Sequence, residues 1–178
     1  MMLEIAIEAD AEWDSSIDWA RLAEDAARAA IAESRFPALA EAARTIELSI
    51  RLTGDVDVRA LNAQWRGKDK VTNVLSFPLT ETGELDGVAS AAPDGPELML
   101  GDIVLARGVC VAEAADKAVP VERHAAHLLV HGTLHLLGYD HGDDTAAEDM
   151  EAREVRALAR MGIGDPYALL SSKDSAAA

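Results

Sequence analysis

Residues 121–141, VERHAAHLLVHGTLHLLGYDH, hold all five histidines of the chain, at positions 124, 127, 131, 135 and 141. Apolar residues recur through this stretch at helical spacing and the run stops at Gly138, so the sequence predicts a helix over 121–137. His131 and His135 stand four apart on one face of it, with Cβ atoms about 5–6 Å from each other. Two imidazoles so placed can reach one ion through Zn–N bonds of about 2.0–2.1 Å. His127 lies eight residues before His135, about 12 Å along the axis at 1.5 Å per residue, and cannot complete the set. Glycine reaches left-handed dihedrals cheaply, so Gly138 lets the chain turn back and bring in His141. His131, His135 and His141 with an open fourth position form the ligand set of a catalytic zinc, one ion per chain. His124 and His127 are left with packing, solvent or supporting contacts.

Outward from the helix, LEIAIE (3–8) and TIELSIRL (45–52) alternate apolar and polar residues and read as half-buried strands. Between them Ser15 followed by Asp18 resembles a capping box opening a helix to about Glu33, with Trp19, Leu22, Ala26 and Ala30 on one stripe, before Phe36-Pro37 ends or kinks it. A helix over about 55–65 would bury Val58, Leu61 and Trp65 and stop at Gly67. Val74 to Phe77, closed by Pro78, is a short strand. Residues 81–97, rich in Gly, Pro and acids, read as a surface loop. Leu98 to Ala106 is a further strand, 109–118 a short helix, and 145–161 a last helix. Four strands and about five helices, two strands early and the histidine helix late, predict an α+β domain with one small mixed sheet.

The 178 residues carry 16 Lys and Arg against 32 Asp and Glu, a formal charge of -16. That length suits one domain, read as residues 1–170 with 171–178 as a frayed tail. Hydrophobic residues make up 49%, yet alanine supplies 35 positions, so bulky core residues are fewer than the percentage suggests. Cys110 is the single cysteine, which excludes an intrachain disulfide and fits a reducing compartment. The start, MMLEIAIEADAEWD, lacks the basic region and apolar block of a signal peptide, so a cytoplasmic protein is expected. The uncharged run from His124 to Tyr139 falls short of the ~20 apolar residues that cross a bilayer. The acidic balance argues against coating nucleic acid or an anionic membrane through the overall field, and leaves local basic sites open.

One such site stands out. Residues 44–70 carry six bases against four acids, and within LNAQWRGKDKVTNVLSFPL (61–79) Arg66, Lys68 and Lys70 sit around Gly67. The planar Arg66 guanidinium offers a bidentate fork to phosphate oxygens. The histidine spacing itself, HxxxHxxGxxH, is that of metzincin proteases, in which the residue after the first His is the general base Glu. Here it is Gly132, which carries no proton. Either the base comes from elsewhere, or a water acidified by the metal needs little help.

Taken together, HGTLHLLGYDH (131–141), WRGKDK (65–70), TNVLSFP (72–78) and LGDI (100–103) closely resemble the YbeY family of bacterial metal-dependent endoribonucleases. The resemblance spans about residues 45–141, with Asn73 where the family often has Asp. It implies a zincin-like fold and single-strand-specific cleavage in maturing the 3′ end of small-subunit ribosomal RNA, with a role in ribosome quality control and the small subunit and its assembly factors as partners. The expected chemistry is phosphodiester hydrolysis, with the ion on His131, His135 and His141, and with Arg66 stabilising transition-state charge. Lys68 and Lys70 would join Arg66 in binding RNA. Asp140 would accept from an imidazole N–H, and Tyr139 would anchor the turn. The rival readings are a metzincin-like protease and a non-catalytic ribosome-assembly factor stabilised by zinc.

Overall fold

The computed structural model describes residues 2–41, 43–90 and 95–168. The two alternating segments form β1 (Met2–Ala9) and β2 (Thr45–Thr53), which pair in parallel from Met2 opposite Thr45 to Ala9 opposite Leu52. Parallel neighbours need a crossover, supplied here by α1 (Trp19–Ala32). Then follow α2 (Asp55–Arg66), β3 (Val74–Pro78), α3 (Thr82–Ser90), β4 (Leu98–Ala106), α4 (Arg107–Lys117), α5 (Val121–Leu136) and α6 (Asp144–Arg160). The sheet order is β1-β2-β4-β3, with β4 parallel to β2 and antiparallel to β3. The α+β class and the four-stranded mixed sheet are as the sequence pattern predicts.

β4 is the strand buried on both faces, which is why LMLGDIVLA reads as a nearly continuous apolar run. Its Ile103 and Leu105 join Ile46, Leu48, Ile50 and Leu52 of β2 in the main core under α1, α5 and α6. Val104 and Ala106 point the other way, to a smaller cluster with Val58 of α2 and Leu75 of β3. A bulge leaves Leu100 without a partner on β2, since Glu47 faces Met99 and Leu48 faces Gly101. Gly101 takes φ +145, and a Cβ there would run into the Phe77 carbonyl oxygen. Cys110 is fully buried, and burial together with the neighbouring Glu113 pushes its thiol up to about 12.

Four local expectations change. The cap of α1 is Asp18 itself, accepting from the Arg21 N–H at 3.0 Å, and Ser15 lies upstream of it. Residues 82–90 form α3 within the segment expected to be a loop, because Leu85 buries completely and gives a short helix an anchor. Trp65 is 65% exposed instead of packed under α2, while Val58 is buried and Leu61 half-buried. The described residues therefore hold six α-helices, not five. Residues 91–94 of the expected loop and the tail at 171–178 lie outside the described residues. Among those described, no helix is long and apolar enough to cross a membrane.

Candidate metal centre

α5 lies across β3 and β4 with its glycine inward. A Cβ at Gly132 would sit 3.0 Å from Ile103 Cγ2 and 3.2 Å from Ser76 Oγ, so the absent side chain sets how closely helix and sheet approach. That contact turns the next face of α5, carrying His131 and His135, toward the open side. Gly138 follows in the left-handed region at φ +95 and the chain doubles back as expected. Tyr139 fixes the turn: its hydroxyl accepts from the Arg35 N–H at 2.7 Å, and the Arg153 guanidinium lies 4.9 Å from its ring centre. His141 then comes over His131, the two rings stacked 5.1 Å apart.

The Nε2 atoms of His135 and His141 lie 3.0 and 3.4 Å from Nε2 of His131, and the ligand atoms of all three residues fall within 4.8 Å of one another. Tetrahedral coordination with Zn–N bonds of about 2.0–2.1 Å spaces nitrogens by ~3.3 Å, so the set fits one ion. Their far sides are held as well. His135 Nδ1 donates to the Tyr139 carbonyl at 2.8 Å, and His131 Nδ1 donates to the Glu154 carboxylate. With both Nδ1 atoms protonated, both Nε2 lone pairs point at the same spot, an arrangement that a cation relieves. Burial, with His131 as neighbour, pushes His135 down to about 4, so its imidazole is neutral and ligand-ready near neutral pH. These three histidines could hold a metal ion.

Glu154 is the participant that the sequence does not announce. It is 1% exposed on α6 and accepts from the Tyr167 hydroxyl at 2.6 Å as well as from His131. Burial alone would raise its pKa. The His127 imidazole 3.7 Å away and the two hydrogen bonds outweigh burial and hold the carboxyl well below the usual carboxylate range. One signal was available: Glu154 stands four residues from both Met150 and Leu158, inside the apolar stripe of α6, where an unpaired charge would be costly. Asp140 behaves differently from the expectation. Its carboxylate accepts from the His141 main-chain N–H at 2.7 Å and stays 3.9 Å from the His141 ring nitrogen, so it orders the turn and makes no imidazole bond. His124 is buried against Glu113 at 3.0 Å, and His127 is buried beside Glu154, 3.7 Å from the carboxylate that also accepts from His131.

Arg66 reaches the same cleft from the end of α2. A cavity of about 760 Å³ is lined by the trio on one side and by Arg66, Lys68 and Lys70 on the other. Arg66 Nη2 donates to the Ser76 carbonyl, and its guanidinium lies 5.6 Å from the centre of the Phe77 ring. One corner of the guanidinium is therefore spent on positioning, and the remaining N–H groups are left for a ligand. Asn73 accepts from the Val74 N–H at 2.8 Å and donates to Glu113 at 3.0 Å, a bracing role at the start of β3.

A family model described as endoribonuclease YbeY matches residues 7–162, most of the chain. The chain belongs to the YbeY endoribonuclease family. A relative named endoribonuclease YbeY from Rhizorhabdus wittichii is 54% identical, covering 94% of this chain and 98% of its own length. Relatives of the same name from Sphingopyxis alaskensis and Novosphingobium aromaticivorans are 51% and 49% identical over 94% and 93% of this chain. The solution structure of TM1509 from Thermotoga maritima, 20% identical, covers 89% of this chain and 91% of its own with a TM-score of 0.51, and shares the fold. The matched residues include the trio, the arginine segment and the helices α5 and α2 that position them.

Proposed function

We propose that this chain is a zinc-dependent endoribonuclease, specific for single strands, that acts in the cytoplasm on the 3′ end of small-subunit ribosomal RNA during maturation and quality control. The observation that carries the reading is the meeting, in one cleft, of three convergent imidazoles and a guanidinium that has no carboxylate partner among the described residues. Membership of the YbeY endoribonuclease family supports RNA as the substrate.

His131, His135 and His141 would hold the ion. When bound, it supplies a Lewis acid for a phosphoryl oxygen and acidifies water. Arg66 donates N–H groups to the non-bridging phosphate oxygens, where charge grows in the transition state, and its bond to the Ser76 carbonyl aims it there in advance. Lys68 and Lys70 at the rim draw the phosphodiester chain to an otherwise acidic molecule. A protease of the metzincin kind needs a general base after the first histidine. Gly132 supplies none, and packing against Ile103 and Ser76 leaves no room for one.

The test is cleavage of single-stranded RNA, duplex RNA and casein side by side, with and without chelator. Cutting of the single strand alone, abolished by chelator and restored by zinc, is the expected result. Casein cutting would establish the protease reading, and metal binding without cleavage of any substrate would leave an assembly factor.

A further inference from the structure

Trp65 is the one aromatic among the exposed large apolar residues described, and it precedes Arg66 directly. Single exposed apolar side chains are ordinary on protein surfaces; the setting of this one is not. At 100° per residue, Trp65 and Arg66 fall on either side of the line that runs along α2 through Val58 and Asn62, its two buried residues. Trp65 is nevertheless 65% exposed in the last turn of α2, directly before an arginine that lines the cleft.

The surroundings are rigid and cationic. Gly67 ends α2 in the left-handed region at φ +67, and the Lys68 N–H donates back to the Asn62 carbonyl at 3.2 Å. The Asn62 side chain donates to the Lys70 carbonyl at 2.9 Å, and Arg59 grips Asp69 with two bonds of 2.9 and 3.3 Å. The acid in this loop is thereby neutralised. Arg66, Lys68 and Lys70 make no ion pair with any carboxylate among the described residues. An exposed indole next in sequence to Arg66, with Lys68 and Lys70 just beyond and no carboxylate paired to any of the three among the described residues, matches a single-stranded polynucleotide, which offers a π-face and a phosphate at every residue. A duplex offers phosphates but keeps its bases stacked inside.

We infer that Trp65 is a stacking platform for one unpaired base of an RNA strand whose neighbouring phosphates lie on Arg66, Lys68 and Lys70. This rests on the ribonuclease reading above. The assignment gives single-strand preference a structural source, because the cations alone would hold duplex and single strand alike.

The test uses the full chain and a labelled 2′-O-methyl octanucleotide, checked on gels to remain uncut, beside an abasic octamer with the same phosphates. Trp65→Ala should weaken binding of the base-bearing strand about tenfold and leave the abasic strand within about twofold of wild type. Trp65→Phe should recover part of the loss. Trp13 and Trp19 are buried against each other, so the octanucleotide should quench the exposed component of tryptophan emission, and that change should vanish in Trp65→Phe. Equal affinities of wild type and Trp65→Ala for the base-bearing strand overturn the stacking role while keeping the RNA reading. Failure of wild type to bind either strand overturns both. Loss of self-association in Trp65→Ala with RNA affinity unchanged assigns the indole to a protein contact, and also overturns it.

Discussion

Replacing Glu154 separates the contribution of its shape from that of its charge. The carboxylate is buried and accepts from His131 Nδ1 and from the Tyr167 hydroxyl. Glu154→Ala takes the acceptor from His131 Nδ1 and one partner from the Tyr167 hydroxyl, which keeps the His127 ring nitrogen at 3.3 Å; at about 1–3 kcal/mol for a lost buried partner, a loss of roughly 2 kcal/mol is expected. Glu154→Gln is nearly isosteric. Its carbonyl can accept from His131 and its amide can donate to the Tyr167 oxygen, so most of the folding stability should remain. What glutamine cannot do is make the His131 imidazole a stronger donor to an ion, and the loss of such a partner typically costs 10–100-fold in metal affinity. The assay is a competition titration of zinc against a chromophoric chelator, with thermal unfolding of the metal-free proteins on the same preparations. The expected pattern is near-wild-type unfolding with at least about tenfold weaker zinc for glutamine, and losses in both measurements for alanine. Wild-type zinc affinity in Glu154→Gln would refute the argument that the charge tunes His131.

Each of His131→Ala, His135→Ala and His141→Ala should purify with little or no zinc, whereas His124→Ala should keep its full complement; elemental analysis decides this, and full occupancy in the His141 variant removes it from the ligand set. Arg66→Ala should retain metal yet lose most single-turnover RNA cleavage, and Arg66→Lys should regain only part of it because an ammonium restores charge without the planar fork. Glu33 ties the end of α1 to α6 by accepting from Arg160 at 2.7 Å and Arg156 at 3.0 Å. The Arg160 bond, with Arg156 helping and burial opposing, sets its pKa below the ordinary value. A depressed carboxylate contributes stability above its unfolded pKa and loses it as pH falls through the folded value. Glu33→Gln should therefore be less stable by up to about 1 kcal/mol at neutral pH, and the gap should close below roughly pH 4; a gap that persists in acid contradicts the pairing.

The convergence of the three histidines was legible from spacing alone, because i,i+4 on a helix and a glycine turn three residues before the last histidine are local geometry. Strands with period-two alternation were legible for the same reason. α3 was not: a nine-residue segment with two glycines forms a helix around Leu85, a side chain that the core accepts. Nor could sequence place Trp65, whose stripe position predicts burial but which is 65% exposed in the folded chain. The chemistry of the cleft is likewise a tertiary matter. β4 enters between β2 and β3, so β3 becomes the edge strand that offers its Ser76 carbonyl to Arg66 opposite the histidines. Glu154 reaches His131 from 23 residues away. Local periodicity decides which face a residue takes on its own element, while the partner it meets is fixed only when elements far apart in the chain close a shared core around buried polar groups that must each find a bond.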